Sequence, residues 1–430
     1  MQANTDTQDG ITKNTGRIFY GWYVVIAVFV ILTTCSGLTV YSLSVYLHAF
    51  VAEGRFSTQE VSLASGAFSA ASGLVGLAVG RLLEIYDVRH IMTGGIALMG
   101  MALLSLPWVQ GLPALYMFYL LLGIGYGASA LIPCSTLIAR WFSHQRSTAL
   151  SIASTGNSFG AIVLTPPAAL LISELGIDGA SLWLTLILLI GVLPFTWLVL
   201  RSWPSERGLS PYGESSVNAS KSAVAIEPVD ADPASRTRFY RMLNVSFMLG
   251  MAAHVGGQTH IFNLLMSRGA DVETAGLAIA LMAASSVLAR FLAVLALRYI
   301  TTRTLVSVLL AIQGVALYGC AFATDVTLLI GYMILYGTML GNFVTMQSVL
   351  LAEVFGTAMY GRLYGLARVW CVPGALLAPG MMGMLYAFEQ AYVMAYLAVG
   401  SLSLAGILAL MLAGPEPVPA TTLLQLSRSA

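Results

Sequence analysis

Long apolar segments alternate with short polar ones along almost the whole chain. Twelve apolar segments have about the 20 residues that a helix needs to cross the hydrocarbon core of a bilayer. The first six span 21–50, 58–83, 91–109, 113–139, 147–173 and 179–200. The last six span 242–267, 273–297, 304–324, 327–353, 363–387 and 391–413. This pattern predicts an all-α membrane protein with twelve transmembrane helices.

A long polar stretch separates the sixth apolar segment from the seventh and is rich in Ser, Pro, Asp and Glu. Such clusters between periodic segments are typical of loops. The chain therefore divides into an N-terminal six-helix bundle at 21–200 and a C-terminal six-helix bundle at 242–413, joined by a linker at 201–241. Tails at 1–20 and 414–430 flank the two bundles.

The two predicted bundles are weakly related in sequence. A shift of 214 residues aligns 57–89 with 271–303 without a gap, so helix two pairs with helix eight and the following loops pair as well. The identical pairs are Leu63/Leu277, Ala64/Ala278, Ala70/Ala284, Ser72/Ser286, Leu74/Leu288, Leu83/Leu297 and Arg89/Arg303. Two parallel halves of six helices resemble the architecture of the major facilitator transporters.

The composition agrees with a surface that faces lipid. Charged residues make up 9% of the chain, against about 25% in soluble domains, and the net charge of +1 gives no reason to expect a nucleic-acid partner. Four cysteines at unrelated spacings form neither a metal pattern nor a disulfide framework. The sequence has no catalytic cluster or phosphate-binding lysine. We therefore expect no enzyme, cofactor or metal, but a monomer whose partner is the lipid bilayer.

Basic residues are concentrated in alternate loops. Sixteen of the twenty Lys and Arg residues fall in the tails, the linker and the even-numbered loops, whereas the odd-numbered loops hold Arg55 and Arg268. Basic loops tend to stay in the cytoplasm. The imbalance therefore places both termini and the linker in the cytoplasm of a multi-pass protein, and we expect its location to be the bacterial inner membrane.

The loop after helix two resembles the signature of the major facilitator superfamily, which is Gly, three residues, an acid and then a basic turn. It reads Gly80-Arg-Leu-Leu-Glu84-Ile-Tyr-Asp87-Val-Arg89-His90. Asp87 stands where the family usually has glycine, and in the second half Arg298 stands in the acidic place. This loop gates the two halves in the family. The resemblance therefore implies altered gating roles for Gly80, Glu84, Arg89, Arg298 and Arg303.

Further segments are similar to bacterial monocarboxylate porters and oxalate:formate antiporter-like proteins. The resemblance covers the whole chain and implies a carboxylate substrate. Animal members carry a lysine where this sequence has Tyr41 and an aspartate where it has Ser286, so the identity of the carboxylate does not follow. The matching segments are Phe19-Tyr20-Gly21-Trp22-Tyr23, Arg140-Trp141-Phe142, Gly156-Asn-Ser158-Phe-Gly160, Trp203-Pro204-Ser-Glu206-Arg-Gly208 and Gly361-Arg-Leu-Tyr364-Gly365.

Two basic residues remain inside predicted helices, Arg290 in helix eight and Arg368 in helix eleven. An arginine in hydrocarbon costs at least a few kcal/mol and usually faces a cavity or a partner. None of the nineteen acidic residues lies clearly inside a helix. A substrate carboxylate would supply the missing partner through two parallel hydrogen bonds.

The two arginines differ in predicted depth. Arg290 lies about 12 Å along the helix from Arg298, near the middle of a core about 30 Å thick. It matches the arginine that binds the anion in the resembling family, and a structural arginine bonded to backbone carbonyls is the alternative. Arg368 lies about 9 Å from Arg362. It matches a basic residue on helix eleven of the oxalate-type members, or it reaches back toward the cytoplasm.

Other polar side chains in apolar runs complete the candidate substrate-binding site. Each of them has interior packing as an alternative role, and a hydrogen-bonded interior histidine is the alternative for the one on helix seven. A ligand cavity needs a few such groups to orient its ligand. The candidates are Tyr41, Tyr46, Tyr126, Gln258, His260, Tyr336, Asn342 and Trp370.

These features predict a secondary active or exchange transporter of a small organic anion, a mono- or dicarboxylate, that works by alternating access. A proton and a counter-transported anion are both open as coupling partners. The lack of an acidic residue inside the membrane favours exchange or facilitated transport over proton symport. A drug or siderophore exporter of the same superfamily is the alternative, and it would need a wide apolar cavity and no dependence on the two arginines.

Overall fold

A computed structural model describes residues 19–213, 232–355 and 357–415, and these residues are almost entirely helical. Most of the two predicted tails, at 1–18 and 416–430, and the middle of the predicted linker, at 214–231, lie outside the described residues. The described parts before and after residues 214–231 are called the first half and the second half below.

Helices of the first half are separated by short turns and one π-helical turn at Phe195–Val199. They are α1 (Tyr20–Leu38), α2 (Leu43–Ala52), α3 (Thr58–Ile85), α4 (Val88–Leu104), α5 (Leu112–Ser129), α6 (Leu131–Trp141), α7 (Arg146–Val163) and α8 (Thr165–Pro194). Those of the second half are α9 (Arg238–Ser267), α10 (Val272–Ala296), α11 (Thr302–Phe322), α12 (Val326–Leu340), α13 (Phe343–Phe355), α14 (Thr357–Glu389) and α15 (Val393–Leu412).

The predicted fold class is confirmed, and each of the twelve predicted segments is helical. Nine segments of the described residues are long and apolar enough to cross a membrane. One of them, Thr148–Val199, contains predicted helices five and six, and Gly176 with a φ of 70° turns the chain between the two. Helix α4 is apolar but shorter, and α9 is 30 residues long with several buried polar side chains.

Many helices begin at a side chain that accepts a hydrogen bond from the first turn. Ser57 and Glu60 form a reciprocal capping box at the start of α3, which satisfies two backbone N–H groups that a helix start leaves free. The same role falls to a single Ser, Thr or Asp side chain at other helix starts. These residues are Asp87 for α4, Thr237 for α9, Asp271 for α10, Thr301 for α11 and Asp325 for α12.

Four predicted helices are broken within their length. Helix one divides into α1 and α2, helix four into α5 and α6, helix five into α7 and the start of α8, and helix ten into α12 and α13. A break inside a membrane frees backbone carbonyls that need new donors. At the first break, Ser42 Oγ donates to the carbonyl of Gly37 at 2.6 Å, and Tyr46 Oη donates to that of Leu38 at 2.8 Å. The side chains of this segment therefore stabilise its own break.

The halves pack against each other through α3 and α14, α7 and α10, and α2 and α9. A β-carbon at Gly66 of α3 would overlap the carbonyl oxygen of Leu376 on α14, and one at Gly383 would lie 2.7 Å from Cβ of Ser62. Small residues thus allow the two helices to approach closely. These contacts lie toward the end of the bundle that carries the loop between α2 and α3, which is called the closed end.

The opposite end carries the loop between α3 and α4 and is called the open end. Near this loop Leu82 is 39% exposed, Ile85 76% and Tyr86 58%. The four hydrogen bonds that the structure describes between the halves all lie away from this loop. The space between the halves therefore opens toward this side of the bundle.

Candidate functional site

Arg290 of α10 lies at the boundary between the halves. Its Nη2 donates to Oγ of Ser158 on α7 at 3.3 Å, and that oxygen is 3.1 Å from Oγ of Ser286. Both serines are buried. The Nε and Nη1 atoms of Arg290 are buried as well, and neither has a hydrogen-bond partner among the described residues. One neutral hydroxyl is thus the polar contact of this guanidinium in the described part of the chain.

Two further residues shape the surroundings of this guanidinium. A β-carbon at Gly341, in the break between α12 and α13, would lie 2.6 Å from Nε of Arg290, so only glycine allows this approach. Tyr41 lies in the break between α1 and α2, close to Ser158, and interacts electrostatically with Arg290. Residues Tyr41, Ser158, Ser286, Arg290 and Gly341 are called the Arg290 cluster. It draws on both halves and on two helix breaks.

Other predicted site residues lie around the same breaks. Tyr126 Oη is 3.3 Å from Oγ of Ser36, and Gln258 Nε2 donates to the carbonyl of Val40 at 3.5 Å. Tyr336 Oη donates to the carbonyl of His254 at 2.5 Å. Asn342 is buried, and its Nδ2 donates to the carbonyl of Thr338 at 3.0 Å. These four side chains bring polar groups to the middle of the bundle, and each of them already makes a hydrogen bond there.

Two predicted residues lie within helix packing and not in the Arg290 cluster. Tyr46 is fully buried, and its hydroxyl is used at the break of the first helix. His260 is fully buried on α9, with Nε2 3.2 Å from the carbonyl of Pro379. Its Nδ1 has no partner among the described residues.

Arg368 and Trp370 lie on α14, apart from the Arg290 cluster. Arg368 is half-buried and makes no hydrogen bond or ion pair with the described residues, although it interacts electrostatically with the nearby Cys371. Trp370 is 38% exposed. Both side chains therefore lie on a helix that packs against the opposite half, but the structure does not join them to Arg290.

The predicted gating residues of the first half make contacts within that half. Arg89 Nη2 is 2.6 Å from Oδ2 of Asp87 and 3.5 Å from Oε2 of Glu206, and Oγ of Ser202 donates to Asp87 Oδ1 at 2.9 Å. The start of α4 is thereby tied to the segment that follows the sixth helix. A β-carbon at Gly80 would meet no atom within 4 Å, and the Glu84 side chain lies outside the described side chains.

The second half repeats this arrangement with different chemistry. Arg303, which the sequence repeat pairs with Arg89, donates from Nη1 to the carbonyl of Gly414 and from Nη2 to that of Leu410, both at 2.6 Å. It ties the start of α11 to the end of the last helix. Arg298 is exposed. In this conformation Arg89 and Arg303 each brace their own half.

Ser158, Ser286 and Gly341 are the members of the Arg290 cluster that sequence reasoning did not select. Ser158 stands in the segment Gly156-Asn-Ser158-Phe-Gly160 at which the chain resembles carboxylate porters, so a signal for it was present. Gly341 is one of 42 glycines, and only its neighbours in space distinguish it. His48 and Asn263 were also not selected, although His48 Nδ1 is 3.0 Å from Oδ1 of Asn263 across the halves.

Two helical halves with broken helices between them define a multi-pass membrane protein of the transporter class. A family model described as Major Facilitator Superfamily matches residues 29–267, which is more than half of the chain. The chain belongs to this superfamily. The members of this superfamily are membrane transporters and not enzymes.

Three curated relatives match over part of the chain. "Probable anion transporter 4, chloroplastic" of Arabidopsis thaliana is 30% identical over 139 residues, which cover 31% of this chain and 24% of that protein. "Uncharacterized MFS-type transporter YcxA" of Bacillus subtilis is 29% identical over 107 residues, 25% of this chain and 26% of that protein. "MFS-type transporter hasB" of Aspergillus fumigatus is 28% identical over 160 residues, 36% and 33% of the two chains. The chain thus spans between a quarter and a third of these relatives.

Solved structures of similar fold include a bacterial homologue of the human lysosomal transporter Spinster. Its inward-facing, unoccupied form has a TM-score of 0.67 and 15% sequence identity, over 93% of this chain and 96% of that chain. Its inward-facing, occupied form has a TM-score of 0.66 and 16% identity over the same shares. At these identities the likeness concerns the fold alone.

Proposed function

We propose that this protein is a secondary transporter of a small organic anion, a mono- or dicarboxylate, which it moves by alternating access. The observation that carries the proposal is the Arg290 guanidinium. Arg290 is half-buried between the halves, has one neutral hydroxyl as its described partner, and keeps its buried Nε and Nη1 without any described partner.

The positive charge of Arg290 has no negative partner among the described residues. A guanidinium carries five N–H donors, and leaving a charge inside a membrane without compensation costs several kcal/mol. The described ion pairs, between Arg55 and Glu53 or Asp178 and between Arg89 and Asp87 or Glu206, all lie near helix ends. A carboxylate supplies the negative charge and two acceptor oxygens in the geometry that the guanidinium fork favours. Tyr41 stands beside the same position and would offer its hydroxyl to the bound anion.

The direction in which the site opens follows from charge. The basic loops lie on the side of the open end, and such loops favour the cytoplasm. We therefore infer an inward-facing state of a protein of the bacterial inner membrane, with both termini cytoplasmic. In this proposal the bundles at 21–200 and 242–413 rock about the Arg290 cluster, and the linker at 201–241 joins them on the cytoplasmic side.

Three observations bear on the substrate class and on coupling. One curated relative is named a probable anion transporter. The segments quoted above resemble carboxylate porters and antiporters. The acidic residues of the spanning helices lie near helix ends, as Glu60, Glu273 and Glu389 do. Among the described residues, none is therefore placed to carry a proton as a carboxylate in the middle of the membrane. These observations together support exchange or facilitated transport of an organic anion.

The test is uptake of labelled acetate and oxalate by purified protein in proteoliposomes, with and without counter-anion inside. Arg290→Gln removes the charge at nearly constant volume, and we expect uptake to fall at least a hundredfold because the anion loses its charged partner. Arg290→Lys keeps the charge but loses the bidentate hydrogen bonding of a guanidinium, so we expect uptake between that of Arg290→Gln and that of the wild-type protein. Arg241→Gln, the same change at an exposed arginine of α9, is the matched control and should transport normally.

Two results would overturn the proposal. Wild-type uptake rates in Arg290→Gln would show that this arginine does not bind the substrate. Transport of hydrophobic cations by the wild-type protein, unaffected by Arg290→Gln, would instead favour an exporter of the same superfamily.

A further inference from the structure

Four hydrogen bonds join the halves in the part of the chain that the structure describes. Two lie toward the closed end, between His48 and Asn263 at 3.0 Å and between Gln258 and the carbonyl of Val40 at 3.5 Å. The other two meet at Oγ of Ser158, from Ser286 at 3.1 Å and from Arg290 at 3.3 Å. Only the contact between Arg290 and Ser158 involves a formal charge. Of the contacts that α10 makes here, it is also the one nearer the open end of the bundle.

The Ser158 hydroxyl is therefore shared between the substrate site and the contact of the halves. A serine hydroxyl has one proton to donate and two lone pairs to accept. Oγ of Ser158 has Ser286, Arg290 and Tyr41 as neighbours, and it is 1% exposed. Two of the three hydrogen bonds that this hydroxyl can make are thus made within the cluster.

An anion that reaches Arg290 competes with Ser158 for the same guanidinium. The Ser158 hydroxyl is neutral, whereas a carboxylate brings a full negative charge and can bind a guanidinium through two parallel hydrogen bonds. A carboxylate also accepts two N–H bonds, whereas Ser158 accepts one. The side chain of Arg290 is therefore expected to turn from the hydroxyl to the anion.

We propose that Ser158 holds Arg290 across the halves in the empty transporter, and that the bound anion releases this hold and so favours separation of the closed end. This inference rests on the proposed function, because it needs an anion at Arg290. Ser158 is then a positioning residue that links occupancy of the site to the conformational change. An anion that bridged Tyr41 and Arg290 instead would pull the halves together, which is the opposite result.

The test uses the full-length protein in lipid nanodiscs with spin labels across the closed end. Labels at Ala52→Cys of α2 and Glu273→Cys of α10 report the separation, since both positions are exposed, whereas the four native cysteines are buried. Double electron–electron resonance gives the distance distribution without anion, with acetate and with oxalate. In the labelled wild-type background we expect the carboxylate to increase the long-distance population.

Ser158→Ala removes the acceptor and is expected to give the long-distance population before any anion is added. It should also bind the carboxylate about three- to tenfold more tightly, because the anion no longer competes with a hydroxyl for a charged donor. Ser158→Thr keeps a hydroxyl and should restore the short distance and the weaker binding. Ser151→Ala on the exposed face of the same helix is the matched control and should behave as wild type.

The outcomes separate the two proposals. Carboxylate binding that depends on Arg290, with a Ser158→Ala distance distribution equal to that of wild type, overturns the role of Ser158 and leaves the proposed function standing. A carboxylate that shortens the distance overturns the release and favours bridging. Binding of a carboxylate that changes no distance overturns the release alone, and failure of acetate and oxalate to bind at all overturns both proposals.

Discussion

The Arg290 cluster shows how one buried charge sets the requirements of its neighbours. The guanidinium lies against the backbone at Gly341, where a β-carbon would be 2.6 Å from both Nε of Arg290 and the carbonyl oxygen of Ser286. A β-carbon essentially never lies within 3.0 Å of another heavy atom, so any side chain here would displace either α10 or the arginine. The position of the charge thus depends on the absence of a side chain on the facing helix break.

Gly341→Ala is therefore expected to reduce carboxylate uptake at least tenfold and to lower the melting temperature. Overpacking of a buried site costs about 1–3 kcal/mol, and the displaced arginine would lose its geometry toward the anion. Uptake in proteoliposomes and thermal unfolding in detergent measure the two effects. Gly331→Ala on α12, where a β-carbon meets no atom within 4 Å, is the control and should keep both values or gain slightly in stability. Equal behaviour of the two variants would contradict the packing argument.

At the level of single residues, the sequence allows Arg290 and Tyr41 to be selected but not Ser158, the hydrogen-bond partner of Arg290. A charge inside an apolar run is rare enough to be identified by elimination. Ser158 is an ordinary serine in a helix, and its role arises from the helix that happens to face it. To predict such a partner, one must know where α7 and α10 cross, and the hydropathy of the sequence does not give this information.

Among the helical elements, the apolar segments predict every spanning helix but not where it breaks. Hydropathy depends on composition, and the breaks at 39–42 and at 341–342 keep the composition of their helices. The hydroxyl groups that stabilise the first break, from Ser42 and Tyr46, are equally compatible with a continuous helix. The breaks matter because they place Tyr41 and Gly341 beside Arg290.

The loops that resemble the family's gating signature act as braces in this conformation. Arg89 and Arg303 are equivalent under the repeat, and each ties the third helix of its half to the chain after the sixth. The first brace uses carboxylates and the second uses backbone carbonyls. A gating role for these residues in another conformation stays a prediction.

Asp87 gives the first brace a testable pH dependence. Burial opposes its ionisation, but hydrogen bonds from Arg89 and Ser202 outweigh this and lower the pKa of Asp87 from 3.8 to about 2. A lowered pKa means that the brace contributes its full stability above about pH 4. The contribution is lost as the pH falls toward 2, because the carboxylate is then protonated in the folded protein too.

Asp87→Asn keeps an acceptor at the start of α4 but removes the charge. We expect its melting temperature to lie about 1–2 °C below wild type at pH 6, because half-exposed pairs contribute little in a large protein. The gap should narrow at pH 3. Thermal unfolding in detergent at both pH values measures it, and Asp271→Asn, which removes a helix-capping acid without an ion pair, is the comparison. A gap that widens in acid would contradict the assignment.

For the whole molecule, the repeat and the charge pattern predict two halves but do not predict which end is closed. Both conformations of an alternating-access transporter have the same sequence, so the choice depends on packing between the halves. In this structure the closed end depends on close approach of α3 and α14 at Gly66 and Gly383. That approach has little polar support, because in the described residues only four hydrogen bonds cross the halves.

Gly66→Val is expected to prevent closure of this end, because its β-carbon would overlap the carbonyl oxygen of Leu376, a backbone atom that cannot rotate away. The equilibrium should shift to the opposite conformation and uptake should fall at least tenfold.

Ser62 is fully buried against Gly383 at the same interface, so Ser62→Cys reports on closure through its reaction with a membrane-impermeant maleimide. We expect protection in the otherwise wild-type protein and rapid labelling in the Gly66→Val background. Gly94→Val, at an exposed glycine of α4 with no atom near its β-carbon, should leave the thiol protected. Persistent protection with normal uptake in Gly66→Val would show that the halves close through other contacts.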